Sequence, residues 1–227
     1  MTEPASPRVE TTVKNGVATI TLDYAPANCY SYEMMRQLDD AILGCRFDES
    51  VHVIVLRGAG EKFFCAGADI GTLGQVTPEY KYHFCLHANE TVSRLEQTSK
   101  LTIAALGGHC VGGGLEVALA CDVRVARQDG GKIGLPEVKL GVLAGTGGTQ
   151  RLVRLVGKAK ALHWMIEGGT FSFDEAKEAG VVDHVWSGDN FWDQVQEYGE
   201  KFCAPNAASK AVGSIKRSVQ SGFEMSL

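Results

Sequence analysis

The stretch HCVGGGLEVALACD, at residues 109–122, decides the fold, because three consecutive glycines precede a run of good helix formers. A helix start leaves backbone N–H groups without partners, and the helix dipole adds partial positive charge there. Glycines allow another molecule to approach those N–H groups closely. Phosphates and oxyanions both suit such a site. A tight strand-to-helix turn packed against a neighbour is the purely structural alternative. The stretch contains neither G-K-[S/T] nor G-x-G-x-x-G, which disfavours a phosphate site.

The segments around the triplet alternate between strand and helix patterns. Short apolar runs predict buried strands at 51–56, 101–106, 122–126 and 181–186. Helical spacing predicts helices at 32–46, 78–98, 114–120, 149–156 and 158–167. Two β-rich runs on either side of Asn15-Gly16 predict a hairpin over 9–24.

Local signals place several boundaries. Ser31 is positioned to cap the first helix. Ser172 and Glu175 have capping-box spacing, so a helix should begin near Phe173. A loop is expected from 134 to 148. No linker or low-complexity tract divides the chain. The sequence therefore predicts an α/β core domain over 1–186 and a helical C-terminal region over 187–227.

Composition excludes several classes of protein. The chain has 227 residues and a net charge of −5, which is unlike the basic surface of a nucleic-acid binder. No apolar run reaches the roughly 18 residues that span a membrane. The N-terminal residues MTEPASPRVETTVKNG lack the apolar core of a signal peptide. We therefore expect a soluble, cytoplasmic protein with no nucleic-acid or membrane partner.

Cysteine and histidine patterns give little sign of metal or disulfide chemistry. The seven cysteines are odd in number and contain no C-x-x-C pair, so reduced, buried thiols are expected. His83 and His87 are four residues apart on a predicted helix, but no H-E-x-x-H pattern or third ligand accompanies them. We expect no metal site.

Two carboxylates and two turns indicate acid–base chemistry. Glu116 lies on the first turn of the helix among apolar neighbours, and Glu137 follows a proline in the loop. CAGAD at 65–69 is a second small-residue turn after a buried strand, and it can present a further backbone N–H. Each glutamate alone is more often solvated or salt-bridged. Two carboxylates near two backbone donors, however, suit proton transfer on a carbonyl compound.

Four motifs carry a family resemblance: AGADI at 66–70, GGGLEVALACD at 112–122, GLPEVKLG at 134–141 and GTGGTQRL at 145–152. In their order and spacing they resemble the crotonase (enoyl-CoA hydratase/isomerase) superfamily, most closely a bacterial-type enoyl-CoA hydratase. The resemblance extends from about residue 9 to the end of the chain. It implies a crotonase-like spiral of β-β-α units with a helical C-terminal extension.

The resemblance also implies roles for individual residues. The amides of Ala68 and Gly113 correspond to the oxyanion hole for the thioester oxygen. Glu116 corresponds to the base that activates water for attack on Cβ, and Glu137 to the group that exchanges the Cα proton. The CoA and substrate would contact Ala25, Ala27, Cys65, Ala66, Gly67, Asp69, Ile70 and Gly112. Hydration of a 2-enoyl-CoA is the leading interpretation, with no metal or cofactor and with a homotrimer or dimer of trimers as the assembly.

Alternatives stay open at this level. Another crotonase reaction, such as double-bond isomerisation or thioester hydrolysis, uses the same site, and a non-catalytic CoA-binding scaffold is a third hypothesis. Tyr30 or Tyr32 is expected either to touch the ligand or simply to pack, and Lys62 to meet a phosphate or to be free in solvent. The chain stops at Met225-Ser226-Leu227, where the family's last helical segment would follow. We expect that segment to be absent from this chain.

Overall fold

A computed structural model describes Ser6 and residues 8–224. Within these residues the strands are β1 (Arg8–Lys14), β2 (Val17–Asp23), β3 (Val53–Gly58), β4 (Phe63–Cys65), β5 (Leu101–Leu106), β6 (His109–Val111), β7 (Val123–Arg127), β8 (Lys132–Gly134), β9 (Phe171–Ser172) and β10 (His184–Trp186). The helices are α1 (Tyr32–Phe47), α2 (Ile70–Leu73), α3 (Pro78–Gln97), α4 (Gly113–Leu119), α5 (Gly148–Val156), α6 (Lys158–Glu167), α7 (Phe173–Glu178), α8 (Phe191–Glu200) and α9 (Ser209–Glu224). Residues 225–227 lie outside the described residues, so the structure does not test the expected absence of a last helical segment beyond them.

The strands form two sheets, and from β3 to β8 consecutive strands alternate between them. The larger sheet has the order β1-β2-β3-β5-β7-β10, and the smaller one has the order β4-β6-β8-β9. Apart from the β1–β2 and β8–β9 pairs, which are antiparallel, all pairs of named strands are parallel. The pairs β3/β4, β5/β6 and β7/β8 each place one strand in each sheet, and helical segments follow. This arrangement is the predicted spiral of β-β-α units.

Both faces of the central strands β3, β5 and β7 are mostly buried, which explains their nearly continuous apolar sequences. Along β3, Ile54 and Leu56 face the main core, which contains α1, α3 and α4. Val53 and Val55 face a second layer that includes Phe191 of α8. The alternation has the two-residue period of a strand. The structure has helices on both faces of this sheet.

Most element boundaries follow their local signals. The hairpin turn places Asn15 at φ 50° and Gly16 at φ 81°, the left-handed conformations that an Asn-Gly turn supplies. The Ser31 hydroxyl accepts a hydrogen bond from the Met34 amide at the start of α1. The capping box at Ser172 is formed as predicted. These signals work because each depends on contacts within a few residues.

Two predictions of local structure need correction. The strand predicted over 181–186 is reduced to β10, because the Val181 and Val182 amides both donate to the Ala176 carbonyl in a turn that ends α7. The loop expected from 134 to 148 contains a 3-10 turn over Glu137–Leu140. The smaller sheet was not predicted, since its strands are two or three residues long and carry no readable periodicity.

The C-terminal helices pack onto the larger sheet. Phe191 and Val195 of α8 belong to the apolar layer on its outer face. On α9, Lys216 is buried and its ammonium group lies 2.7 Å from an Asp122 carboxylate oxygen. The proposed division of the chain at residues 186 and 187 stays a prediction. No helix among the described residues is long and apolar enough to cross a membrane.

Candidate active site

The glycine triplet opens α4 and lets three other groups approach it. Gly112 has φ 58°, the left-handed region that favours glycine. A Cβ on Gly113 would lie 2.1 Å from the Tyr30 hydroxyl oxygen, and one on Gly114 would lie 2.0 Å from the Cys65 carbonyl oxygen. No other residue fits at these two positions without moving its neighbours. The glycines therefore serve close packing as well as access to the helix start.

The two predicted backbone donors lie on adjoining segments. Tyr30 and Ala68 form an isolated parallel bridge, in which the Tyr30 amide donates to the Gly67 carbonyl and the Asp69 amide donates to the Tyr30 carbonyl. In such a bridge the amide of the central residue, Ala68, points away from the partner segment. A Cβ on Gly67 would lie 2.9 Å from the Gly113 nitrogen, so the two segments are in direct contact.

Both donor amides are unengaged. Gly113 is the first residue of α4, so its N–H has no partner within the helix. Within the part of the chain that the structure describes, neither the Gly113 amide nor the Ala68 amide donates to another protein group. Two free N–H groups on contacting segments can together bind one oxygen atom that carries partial negative charge.

Glu116 is buried on the first turn of α4. It is 2% exposed, and its Oε1 accepts hydrogen bonds from the Thr146 and Gly148 amides, each at 2.7 Å. Burial raises the pKa of Glu116 to about 7, and the nearby charge of Glu137 also raises it, although the hydrogen bonds from Gly148 and Thr146 lower it. A carboxyl group with this pKa exchanges protons near neutral pH.

Glu137 is the second carboxylate of the site; it is half-buried and begins the 3-10 turn. Its Oε1 lies 3.1 Å from the position of a Cβ on Gly112, at the start of α4. Its Oε2 is buried and has no hydrogen-bond partner among the described groups. Burial raises the pKa of Glu137, too. A buried oxygen without a partner is costly unless a ligand or water satisfies it, so this atom marks a place for one.

The segments predicted to hold CoA lie side by side. The Ala66 amide donates to the Ala27 carbonyl at 3.0 Å. The buried Asn28 side chain braces this region: its amide group donates to the Ala59 and Phe63 carbonyls. These contacts bring the predicted segments at 25–28 and 65–70 onto one edge of the site.

Comparison with known proteins identifies the family of the chain. The sequence profile described as enoyl-CoA hydratase/isomerase matches residues 12–227. The chain belongs to this family. It is 34% identical over 214 residues to the short-chain-enoyl-CoA hydratase of Clostridium acetobutylicum, covering 93% of this chain and 82% of that protein.

Two further relatives extend the family comparison. The (E)-benzylidenesuccinyl-CoA hydratase of Thauera aromatica is 37% identical over 216 residues, which cover 95% of this chain and 83% of that protein. The crystal structure of an enoyl-CoA hydratase from Geobacillus kaustophilus superposes with a TM-score of 0.94 at 42% identity, covering 98% of this chain and 83% of that one. The fold is therefore that of the family, whose members act on acyl-CoA thioesters.

Some of the predicted site residues make contacts within the protein, and others are exposed to solvent. The Asp69 carboxylate caps α2, accepting hydrogen bonds from the Gly71 amide and the Thr72 hydroxyl. Burial raises the pKa of the Cys65 thiol to about 12, so it is a packing group. Ala25 and Ile70 are exposed at the rim. Lys62 is exposed, with its ammonium group 5.7 Å from the centre of the Phe63 ring.

The structure gives different surroundings to Tyr30 and Tyr32, whose roles the sequence left open. Tyr30 is 3% exposed and its hydroxyl lies 3.0 Å from the Thr146 hydroxyl. Tyr32 is 46% exposed and its ring lies 5.1 Å from the ring of His87.

Among the described residues no cluster of three metal-ligating side chains occurs. Thr146 is the site residue that sequence reasoning missed, although it lies inside the quoted GTGGTQRL motif; Tyr30 was named from the sequence, but its contact with Thr146 was not foreseen.

Proposed function

We propose that this protein adds water across the double bond of a 2-enoyl-CoA thioester and forms a 3-hydroxyacyl-CoA. The observation that carries the proposal is the pairing of the buried Glu116 carboxylate with the half-buried Glu137 side chain, whose Oε2 is buried and unpartnered, beside a helix start whose first amide is unengaged. Hydration requires one group to take a proton from water and another to supply one to carbon. Relatives of similar sequence that are named hydratases support the same choice.

In the proposed reaction the thioester oxygen accepts hydrogen bonds from the Ala68 and Gly113 amides. Negative charge develops on this oxygen when the double bond is attacked, and fixed donors stabilise that charge without reorganising. The N-terminal end of α4 adds its partial positive charge. A single donor of this kind typically contributes about 2.7–4 kcal/mol to transition-state stabilisation.

The two carboxylates divide the proton transfers. Ionised Glu116 takes a proton from water as the water oxygen forms its bond to Cβ. The double-bond electrons move toward the thioester oxygen and give an enolate. Protonated Glu137 then donates its proton to Cα, and the thioester carbonyl re-forms. A pKa of about 7 keeps a substantial share of Glu116 ionised at neutral pH, and burial also raises the pKa of Glu137.

The CoA carrier is proposed to lie along the rim formed by the segments at 25–28 and 65–70, with Ala25, Ala27, Ala66 and Ile70 offering backbone and small apolar contacts. Gly67 and Gly112 keep the adjoining backbone open for the thioester. No metal or redox cofactor is proposed, because hydration adds water with no net change of oxidation state. The thioester itself makes the Cα proton acidic.

Assembly and location are part of the same proposal. We propose a cytoplasmic homotrimer or dimer of trimers. Exposed apolar side chains on α6 and the loop before α5 support self-association, because a second copy would remove them from water: Leu140, Val142, Leu143, Leu162 and Ile166. Light scattering on the purified protein measures the mass of the assembly directly.

The test of the reaction is product analysis by mass spectrometry with short, medium, branched and cyclic 2-enoyl-CoA thioesters. Hydration predicts a gain of one water with CoA still attached, and the preferred substrate names the acyl class. Release of free CoA would identify a hydrolase instead. A shifted double bond without added water would identify an isomerase. Binding without any turnover would favour the scaffold hypothesis.

A further inference from the structure

Tyr30 lies at the junction of the groups assigned to the reaction. Its ring is stacked against Phe84 of α3, with ring centres 5.9 Å apart. Its hydroxyl oxygen packs against Gly113, since a Cβ on Gly113 would lie 2.1 Å from that oxygen. Its backbone forms the bridge that fixes Ala68. One residue thus contacts both segments that carry the proposed oxyanion donors.

The Tyr30 hydroxyl has a single hydrogen-bond partner within the described residues, the hydroxyl of Thr146 at 3.0 Å. Thr146 in turn contacts the carboxylate of Glu116. Its amide donates to Glu116 Oε1 at 2.7 Å. The three side chains, Tyr30, Thr146 and Glu116, are all buried, so water does not compete for these contacts.

The contact between the Tyr30 and Thr146 hydroxyl groups satisfies both of them. Each hydroxyl can donate one proton and can accept at its oxygen, so the pair is satisfied in either direction. A buried phenol is costly without a partner, and Thr146 supplies one.

We propose that Tyr30 is a positioning residue for the general base: its hydroxyl holds the Thr146 side chain in place, so that the Thr146 amide holds the Glu116 carboxylate ready to accept a proton from water. The role assigned to Glu116 rests on the proposed hydration reaction. The hydrogen-bonded chain itself does not depend on that reaction.

The experiment compares Tyr30→Phe and Thr146→Val with the parent protein. Each removes one hydroxyl and keeps a side chain of similar volume. Both variants weaken stabilisation of the ionised carboxylate, so the acid limb of the kcat/KM profile should move to higher pH by about half to one unit. The double variant should shift no further than the larger single shift, since both changes break the same chain.

Matched controls separate this role from packing. Tyr198→Phe removes a half-buried hydroxyl on α8, in the layer across the larger sheet, and should leave the profile unchanged. Thr146→Ser keeps a hydroxyl and should retain the original midpoint. Additive shifts for Tyr30→Phe and Thr146→Val, or equal shifts for Tyr30→Phe and Tyr198→Phe, would overturn the proposal.

A second readout does not require turnover. Carbon NMR of carboxyl-labelled glutamate follows the titration of Glu116, whose signal is identified by its loss in Glu116→Gln. An upward shift in Tyr30→Phe supports the chain even if no 2-enoyl-CoA is hydrated, in which case the proposed function alone has failed. An unchanged Glu116 titration overturns the role of Tyr30, whether or not the protein is a hydratase.

Discussion

Helix α4 has an acidic residue near each end, and the surroundings of the two residues are opposite. Glu116, near the N-terminal end, accepts hydrogen bonds from two backbone amides and has no basic side chain as a partner among the described residues. Asp122, just beyond the C-terminal end, lies 2.7 Å from the Lys216 ammonium group. Asp122 also accepts from the amide and the hydroxyl of Thr102, each at 2.8 Å.

The contrast distinguishes a carboxylate suited to proton transfer from a carboxylate that stabilises the fold through an ion pair. A nearby cation favours the charged form of a carboxyl group, whereas burial without a cation disfavours it. The N-terminal end of α4 can therefore exchange protons near neutral pH. The C-terminal end fixes α9 to the sheet through an ion pair. We expect substitutions at the first end to change turnover and substitutions at the second to change stability.

The largest expected effect is on turnover in Glu116→Gln. Glutamine keeps the oxygen that accepts from Thr146 and Gly148 but cannot take a proton from water. General-base catalysis typically contributes about 10²–10⁴-fold, so kcat should fall by about that factor. Steady-state kinetics and isothermal titration with a saturated acyl-CoA measure this change. Weakened ligand binding with unchanged kcat would contradict the assignment.

Glu137→Gln should be the second largest change. It removes the proposed proton donor to Cα, and a loss of about 10²-fold in kcat is expected at neutral pH. Because the side chain lies outside the carrier rim, affinity for the saturated acyl-CoA should be retained. Unchanged turnover in this variant would refute a mechanism that needs two carboxylates.

Lys216→Met tests the opposite end of α4. Removal of the cation leaves the partly exposed Asp122 without its ion-pair partner; breaking a fully buried pair typically costs about 3–5 kcal/mol, which is an upper limit here. For a chain of this size each kcal/mol corresponds to about 2–4 °C in Tm. Urea unfolding and a thermal scan provide the measurement.

The control for this change is Lys210→Met, an exposed position on the same helix, which should remain within about 0.5 kcal/mol. Folded Lys216→Met should keep most of its turnover. A loss of kcat with unchanged stability would reverse the division between the two ends.

The effect of pH on the free energy of unfolding is expected to be of similar size to the effect of Lys216→Met. The pKa of Glu116 is raised from 4.5 to about 7 on folding, so the folded state favours the protonated form. Folding is not penalised by this group below about pH 4.5, and the penalty grows as pH rises to 7 and is complete above it. Glu116→Gln should therefore gain stability relative to the parent over this window, by at most about 3 kcal/mol. A constant difference between pH 5 and 8 in urea unfolding would contradict a raised pKa.

The smallest expected effect is at a glycine outside the site. Gly44→Ala on the exposed face of α1 meets no atom within 4 Å, and alanine should stabilise the helix by about 0.5–1 kcal/mol. Gly113→Ala on α4 would instead collide with the Tyr30 hydroxyl and should lower both stability and turnover. Thermal scans of the two variants should shift in opposite directions. Destabilisation by Gly44→Ala would show that helix glycines in this chain are costly to replace even away from the site.

Prediction from sequence succeeded where the deciding contacts are local. The strand at Leu101–Leu106 and the hairpin around Asn15-Gly16 were predicted because apolar runs and turn residues act over a few positions. The short strands of the smaller sheet were missed, since pairing across the fold, rather than side-chain period, creates them.

The candidate site divides in the same way. Glu116 and Glu137 were identified from motifs and residue chemistry, and the structure places both beside the start of α4. The contact between Tyr30 and Thr146 joins residues 116 positions apart, and no local pattern encodes it. Raised pKa values likewise depend on burial, which is a property of the folded chain.

The most direct test of the account is the pH dependence of kcat/KM for hydration of a short 2-enoyl-CoA, measured from about pH 5 to 9 in the parent protein and in Glu116→Gln. The account predicts an acid limb with a midpoint near pH 7 in the parent and activity reduced by orders of magnitude at every pH in the variant. A parent profile that is flat through neutral pH, with a variant of comparable activity, would contradict the role of Glu116 as the base.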